Sequence, residues 1–150
     1  MRIWVSIMIV ALCGCTTTSR SGSGDLSDRA QVEQAAHAWA DAYNSRDPAR
    51  IAAFYEPEAV FWGTGMKVIA TTPPAVAEYF KDAAKRPEAR ANIGEQHVRV
   101  YGDVAFSSGY NTFTDVRDGK PTVNPARFTM IFHKRSGLWR LVHHHSSRLP

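Results

Sequence analysis

Thiols are almost missing from this chain. Its two cysteines, Cys13 and Cys15, sit close to the N-terminus and none follows them. The rest of the sequence therefore has no means of forming an internal disulfide, a cysteine–metal site or a thiol nucleophile. Long apolar runs are missing too. The stretch from Ile3 to Leu12 falls short of the roughly 20 apolar residues a membrane-spanning helix needs. No Gly-X-Gly-X-X-Gly follows a strand pattern, so nothing marks a nicotinamide or flavin site, and no cofactor is expected. Internal repeats are absent, and 150 residues suit one folded domain.

The short apolar stretch follows Arg2 and ends in Leu12-Cys13-Gly14-Cys15. Its length fits a signal-peptide core, and the tetrad resembles a bacterial lipobox, in which the chain is cut before the cysteine and that cysteine is acylated. Residues 1–14 are expected to be a lipoprotein signal peptide, and Cys15 the lipidated residue. An ordinary secretory signal cut further on is the alternative. Buried acyl chains contribute about 0.8 kcal/mol per methylene, enough for a multiply acylated Cys15 to hold the protein at a membrane. The expected address is the cell envelope; in a Gram-negative host, Thr16 resembles the residue that sorts lipoproteins to the outer membrane, facing the periplasm. The following "TTTSRSGSGDLS" has little to bury and reads as a flexible tether over 15–27. The folded domain is expected over 28–150.

A net charge of +4 raises the question of nucleic acid. Lys81, Lys85, Arg86 and Arg90 gather near one expected helix end, where cations complement the helix dipole. They read as a solvated face, and no nucleic-acid partner is expected.

Within the domain, Val32, Ala35, Ala36, Trp39, Ala42 and Tyr43 recur at three- and four-residue steps, which predicts a helix. Asp47-Pro48 supplies an N-cap and a first-turn proline for a short second helix burying Ile51, Phe54 and Tyr55. "EAVFWGTG" reads as a strand entering a glycine turn, with "MKVIA" as its hairpin partner. Thr72 caps a third helix whose inner face is Val76, Tyr79, Phe80 and Ala83, stopped by Pro87. From Ile93 the pattern is strands: "IGEQHVRVYG", "VAFSSGYNTFTDV", the Asp-Gly turn of "RDGK", "PTVNPARFTMIFHK" and "LWRLVHHHSS". Helices followed by a four-stranded antiparallel meander predict an α+β fold with helices packed on one sheet face.

That order of elements, with "AYNSRDPARIAAFYEPEAVFWG" early, "HVRVYGDVAF" and "RDGKP" between, and "GLWRLVHHHSSRLP" last, resembles the nuclear transport factor 2-like superfamily. More narrowly, it is similar to SnoaL-like, SgcJ/EcaC-type proteins, and through them to the association domain of calcium/calmodulin-dependent protein kinase II and to ketosteroid isomerase-like proteins. The resemblance implies a cone-shaped domain, a strongly curved and mostly antiparallel sheet, a ligand cavity, and a homodimer through the outer sheet face. The isomerase branch's catalytic Asp and oxyanion-binding Tyr fall at Trp62 and Trp39, which cannot do that chemistry. The kinase domain's cavity arginines fall at Asn111 and Met130.

Alternation along a strand places Trp139, Leu141, His143, His145 and Ser147 on one face and Arg140, Val142, His144, Ser146 and Arg148 on the other. Trp139 and Leu141 are apolar, so their face is expected inside, with His143 and His145 in the cavity and His144 outside. The pair is open to three readings: a hydrogen-bonded pocket wall, a ligand contact or general acid–base pair, or part of a metal site. The last needs a third ligand, from His97, Glu95 or Glu58, and no metal is assigned. Asn111, Trp62, Tyr43 and Met130 are the other expected pocket residues, with His143 or a ligand as partner for the Asn111 amide. Arg127 alternates with core Phe128 and is expected on the outer face at a subunit contact. The functional expectation is a pocket for a small hydrophobic or aromatic molecule. The alternatives are an isomerase- or cyclase-type enzyme using a pocket histidine for proton transfer, and a self-association module.

Overall fold

A computed structural model describes residues 23–150. In chain order it contains α1 (Ser23–Asn44), α2 (Pro48–Ala52), β1 (Tyr55–Trp62), α3 (Pro73–Ala84), β2 (Arg90–Tyr101), β3 (Val104–Arg117), β4 (Lys120–Arg135) and β5 (Leu138–Arg148). Helix α1 begins five residues before the expected domain start, within the segment read as tether. The signal peptide and Cys15 lie outside the described residues. No described helix is long and apolar enough to cross a membrane.

The helices form where the spacing of apolar residues places them. Val32, Ala36, Trp39, Ala42 and Tyr43 of α1 are all buried. The Asn44 side-chain amide closes that helix against the sheet, donating to Ala91 O at 3.0 Å and accepting from Ala91 N at 2.8 Å. Asp47 caps α2 by accepting from Ala49 N and Arg50 N, and Thr72 caps α3 by accepting from Ala75 N; such caps stabilise a helix by about 1 kcal/mol. Tyr55, expected at the end of α2, instead opens β1. The "MKVIA" hairpin reduces to a single bridge between Phe61 and Ala70.

The five strands form one sheet in the order β1-β5-β4-β3-β2. β2 to β5 are the antiparallel meander, and β1 adds to its edge parallel to β5. At the β3–β4 turn, Asp118 (φ 52°) and Gly119 (φ 70°) both adopt positive φ, the geometry that makes Asp-Gly a two-residue hairpin signal.

Three irregularities interrupt the ladder. One lies in β1 between Tyr55 and Val60. A second lies in β2 between Ile93 and Gln96, opposite Gly109, where an added Cβ would come within 2.1 Å of Glu95 O, so only glycine fits. The third inserts Val142: Phe132 pairs with Leu141, but Ile131 pairs with His143. A bulge bends its strand and shifts the alternation of faces by one residue. These bends give the sheet a concave side, on which α1 and α3 pack around a core that includes Trp39, Tyr55, Phe61, Phe80, Phe128, Met130, Phe132 and Leu141.

Candidate functional site

Between α1, α3 and the concave side of the sheet lies a cavity of about 430 Å³. That size falls within the ~300–1,000 Å³ typical of small-molecule sites. Its inner wall is aromatic: Trp39 and Tyr43 from α1, Phe61 from β1, Tyr79 and Phe80 from α3, and Phe113 from β3. Most of these rings pack edge to face or tilted, with Trp39 6.0 Å from Phe80 and Tyr43 5.5 Å from Phe113, while Phe61 stacks on Phe80 at 5.4 Å.

The bulge at Val142 reverses the expected roles of the three histidines. Trp139 and Leu141 face inward, but the inserted residue puts His144 and Ser146 on the inner side and His143 and His145 on the outer one. His144 is 1% exposed and lines the cavity. His143 is half-buried and His145 exposed, and neither reaches the cavity wall. The expected pair of pocket histidines is therefore corrected to one, the middle ring.

His144 is held from behind by a buried chain of hydrogen bonds. Trp39 Nε1–H donates to Tyr55 Oη at 3.1 Å. Tyr55 Oη lies 2.8 Å from His144 Nδ1. The tyrosine oxygen accepts from the indole, and among the described residues Nδ1 is the one acceptor its own hydrogen meets, which assigns Nδ1 as acceptor. The neutral ring then carries its proton on Nε2. Burial, reinforced by the charges of His143 and His145, lowers the His144 pKa to about 3, so the ring is neutral at ordinary pH. Nε2 itself is buried and has no partner among the described residues. A buried donor left in that state costs about 1–3 kcal/mol, which an acceptor on a bound molecule would recover. Around the same ring stand Trp39, edge-on at 4.9 Å, and Phe61 at 5.3 Å.

The remaining expected pocket residues divide. Tyr43 lies in the cavity wall, and burial raises its pKa against the opposing effect of Arg86. Trp62 does not reach the cavity. It alternates with buried Phe61, points to the outer face at 45% exposure, and donates to Met66 O at 3.3 Å. Met130 is also corrected. It is fully buried beside His144 in the ladder, part of the core beneath the cavity rather than its wall. Asn111 is 2% exposed on the inner face, paired in register with Ile93 and Ala126. It is set back from the wall, and both its amide atoms lack a partner among the described residues; His143, its expected partner, is on the opposite face. Arg127 is exposed on the outer face, where Nε donates to Ser147 Oγ at 3.1 Å.

At the cavity mouth, Asp115 of β3 accepts from Arg86, just past α3, and from Arg117 Nε at 3.3 Å. Its carboxylate is almost wholly buried, at 6% residue exposure. Burial alone would raise its pKa, but hydrogen bonds from Arg86, the Val116 N–H and Arg117 outweigh that and hold it below the usual carboxylate range. The loop after β1 forms the roof. Tyr79 Oη donates to Thr64 O at 2.9 Å, and Thr64 Oγ1 lies 3.0 Å from Ser146 Oγ. Among the described residues no cluster of three or more His, Cys, Asp or Glu is placed to hold a metal.

Sequence reasoning missed Tyr55, His144, Ser146 and the Arg86–Asp115–Arg117 group. One signal was there: Leu141-Val142 sets two apolar residues in succession within an alternating strand, which is what a bulge leaves in a sequence.

Three helices packed on a five-stranded mixed sheet about one cavity define the nuclear transport factor 2-like class of α+β domains. Within that class, a profile of the SnoaL-like domain matches residues 32–150, and the chain belongs to that family. Among solved structures it is similar to a Xanthomonas campestris protein assigned provisionally as a calcium/calmodulin dependent protein kinase II association domain. The two share 28% identity over 79% of this chain and 86% of that one, with a TM-score of 0.73. A ketosteroid isomerase-like protein from Erwinia carotovora atroseptica is 23% identical over 82% of this chain and 97% of that one (TM-score 0.69). An NTF2-like protein with a cystatin-like fold from Novosphingobium aromaticivorans is 16% identical, covering 83% of each chain (TM-score 0.75). The last two likenesses concern the fold alone. A search of curated proteins found no match.

Proposed function

We propose that this domain binds a small, largely hydrophobic molecule and orients it through a hydrogen bond from His144 Nε2–H to a carbonyl or similar acceptor. The observation that carries the reading is a buried Nε2, without a partner among the described residues, on a ring that lines an aromatic cavity. Its tautomer is set by Tyr55 and Trp39. The same geometry argues against proton abstraction by this ring. Its Nδ1 is occupied, its Nε2 already carries the proton, and a pKa of about 3 is far below the near-neutral value that suits a general base. A neutral aromatic ketone, 2-acetylnaphthalene, serves as probe. It should quench the tryptophan fluorescence saturably, and His144→Leu, which keeps bulk but removes the donor, should weaken its binding about tenfold. Equal affinity for both proteins would remove His144 from the site.

We further propose that the domain is carried on a lipid anchor at Cys15. The support is the lipobox-like tetrad, and the check is detergent-phase partitioning, which Cys15→Ala should abolish. The outer sheet face, with Trp62 and Tyr110 each about half exposed, supports a homodimer, to be read by sedimentation at graded concentrations.

A further inference from the structure

The charged mouth of the cavity does not follow from a purely hydrophobic pocket. Three guanidinium groups line it: Arg86 beyond α3, Arg117 at the end of β3 and Arg148 at the end of β5. Three carboxylates line it as well, but each is already engaged. Glu78 pairs with Lys81 at 2.5 Å and Asp82 with Lys85 at 3.2 Å, both on the exposed side of α3. Asp115 is shared by Arg86 and Arg117. One carboxylate between two guanidiniums leaves an excess of one positive charge there. Arg148, which makes no ion pair among the described residues, adds a second.

Asp115 also fixes the geometry. It accepts from Arg117 through Nε alone, so the terminal amino groups of that guanidinium are uncommitted among the described residues. A planar guanidinium held at one edge is a fork preorganised for an oxyanion, which it can meet with two parallel hydrogen bonds. These cations are not at Asn111 or Met130, where the resemblance put the kinase domain's arginines; they come from other elements, at the opening rather than beneath it.

We propose that the mouth is an oxyanion subsite formed by Arg117 and Arg148, with Asp115 as the residue that positions Arg117. It rests on the cavity reading above and narrows the ligand class to amphipathic acids: an apolar or aromatic body among Trp39, Phe80 and Phe113, and a carboxylate or phosphate at the opening. Asp115 would repel such a group, but Arg86 and Arg117 together neutralise it, and Arg148 adds the further charge that favours an anion.

The test uses three probes with one body: 2-naphthoate, 2-naphthyl phosphate and the neutral methyl 2-naphthoate. Binding is followed by tryptophan fluorescence and by calorimetry. One or both anions should bind about tenfold or more tightly than the ester, and only their affinity should fall as salt is raised. Arg117→Met with Arg148→Met should erase the preference, lowering the affinity of the anions relative to the ester about tenfold or more. This variant keeps the Arg86–Asp115 pair, so the fold is retained, as thermal unfolding would verify. Preference for the phosphate alone, or the carboxylate alone, identifies the head group and supports the subsite. Equal binding of all three probes, or a preference that survives the double substitution, overturns the subsite and leaves the cavity reading standing. Binding of none of them overturns both.

Discussion

His144 and His145 are adjacent in one strand and share almost nothing else. The first ring is packed between Trp39 and Phe61, hydrogen-bonded through Nδ1 to Tyr55, and neutral. The second is exposed on the outer face, near Trp62 at 6.2 Å between ring centroids. Residue type therefore says little about role here. The environment set by one inserted residue, Val142, decides it, and the two faces of β5 should answer differently to the same perturbation.

The sharpest contrast is truncation. His144→Ala removes a filled volume from the core, strips Tyr55 Oη of its acceptor and enlarges the cavity. Deletion of a large buried side chain typically costs about 2–5 kcal/mol, and an orphaned buried hydroxyl adds to that. A loss of about 3 kcal/mol by urea unfolding is expected, against changes within about 0.5 kcal/mol for surface positions. A His144→Ala domain as stable as the parent would show that the ring is not packed as described.

Protons discriminate the faces next. An unfolded histidine titrates near 6.5, whereas burial lowers His144 to about 3. Between those values the unfolded chain takes up a proton that the folded one refuses. Stability should therefore be full above about pH 6.5 and decline as pH falls toward 3, by up to about 1.4 kcal/mol per pH unit. His143, whose pKa burial and the neighbouring His145 also lower, adds a smaller decline of the same sign, beginning below the same unfolded value. The check is urea unfolding between about pH 6 and pH 5. His144→Gln should flatten the slope, since an amide does not titrate there, while His143→Gln should trim it only slightly. Equal slopes for parent and His144→Gln would mean the buried ring carries no linkage.

How much of this was legible in the sequence depends on whether the cause was local. The inner face of α1 followed from Val32, Ala36, Trp39 and Tyr43, because helical spacing is a property of the segment itself. Asp47, Thr72 and the Asp118-Gly119 turn were readable for the same reason. Strand parity held from Trp139 to Leu141 and failed at Val142, because the bulge is set by how β5 meets β4 on one side and β1 on the other. The parallel addition of β1 was not readable either: the glycine turn after Trp62 pointed to a hairpin that exists only as the Phe61–Ala70 bridge. Arg86 and Asp115, 29 residues apart, meet only once the segment after α3 reaches β3. The fold was thus written largely in local patterns, while the cavity's polar groups depend on contacts between distant segments.

The smallest effect tests the comparison from its other side. His145→Ala removes an exposed ring for which no protein hydrogen bond is present among the described residues. The backbone ladder to Thr129 is untouched by the substitution, and the partner ring of Trp62 keeps its bond to Met66 O. An isolated domain should lose no more than about 0.5 kcal/mol, and affinity for 2-acetylnaphthalene should be unchanged, because the sheet itself separates this side chain from the cavity. If the homodimer forms through the outer face, the same variant gains a second reading. Its unfolding midpoint should depend on protein concentration differently from the parent's, since a contact that stabilises only the assembled state enters by mass action. A weakened cavity affinity in His145→Ala would instead mean that the two faces of β5 are coupled, and that the division of roles between neighbouring histidines is not set by facing alone.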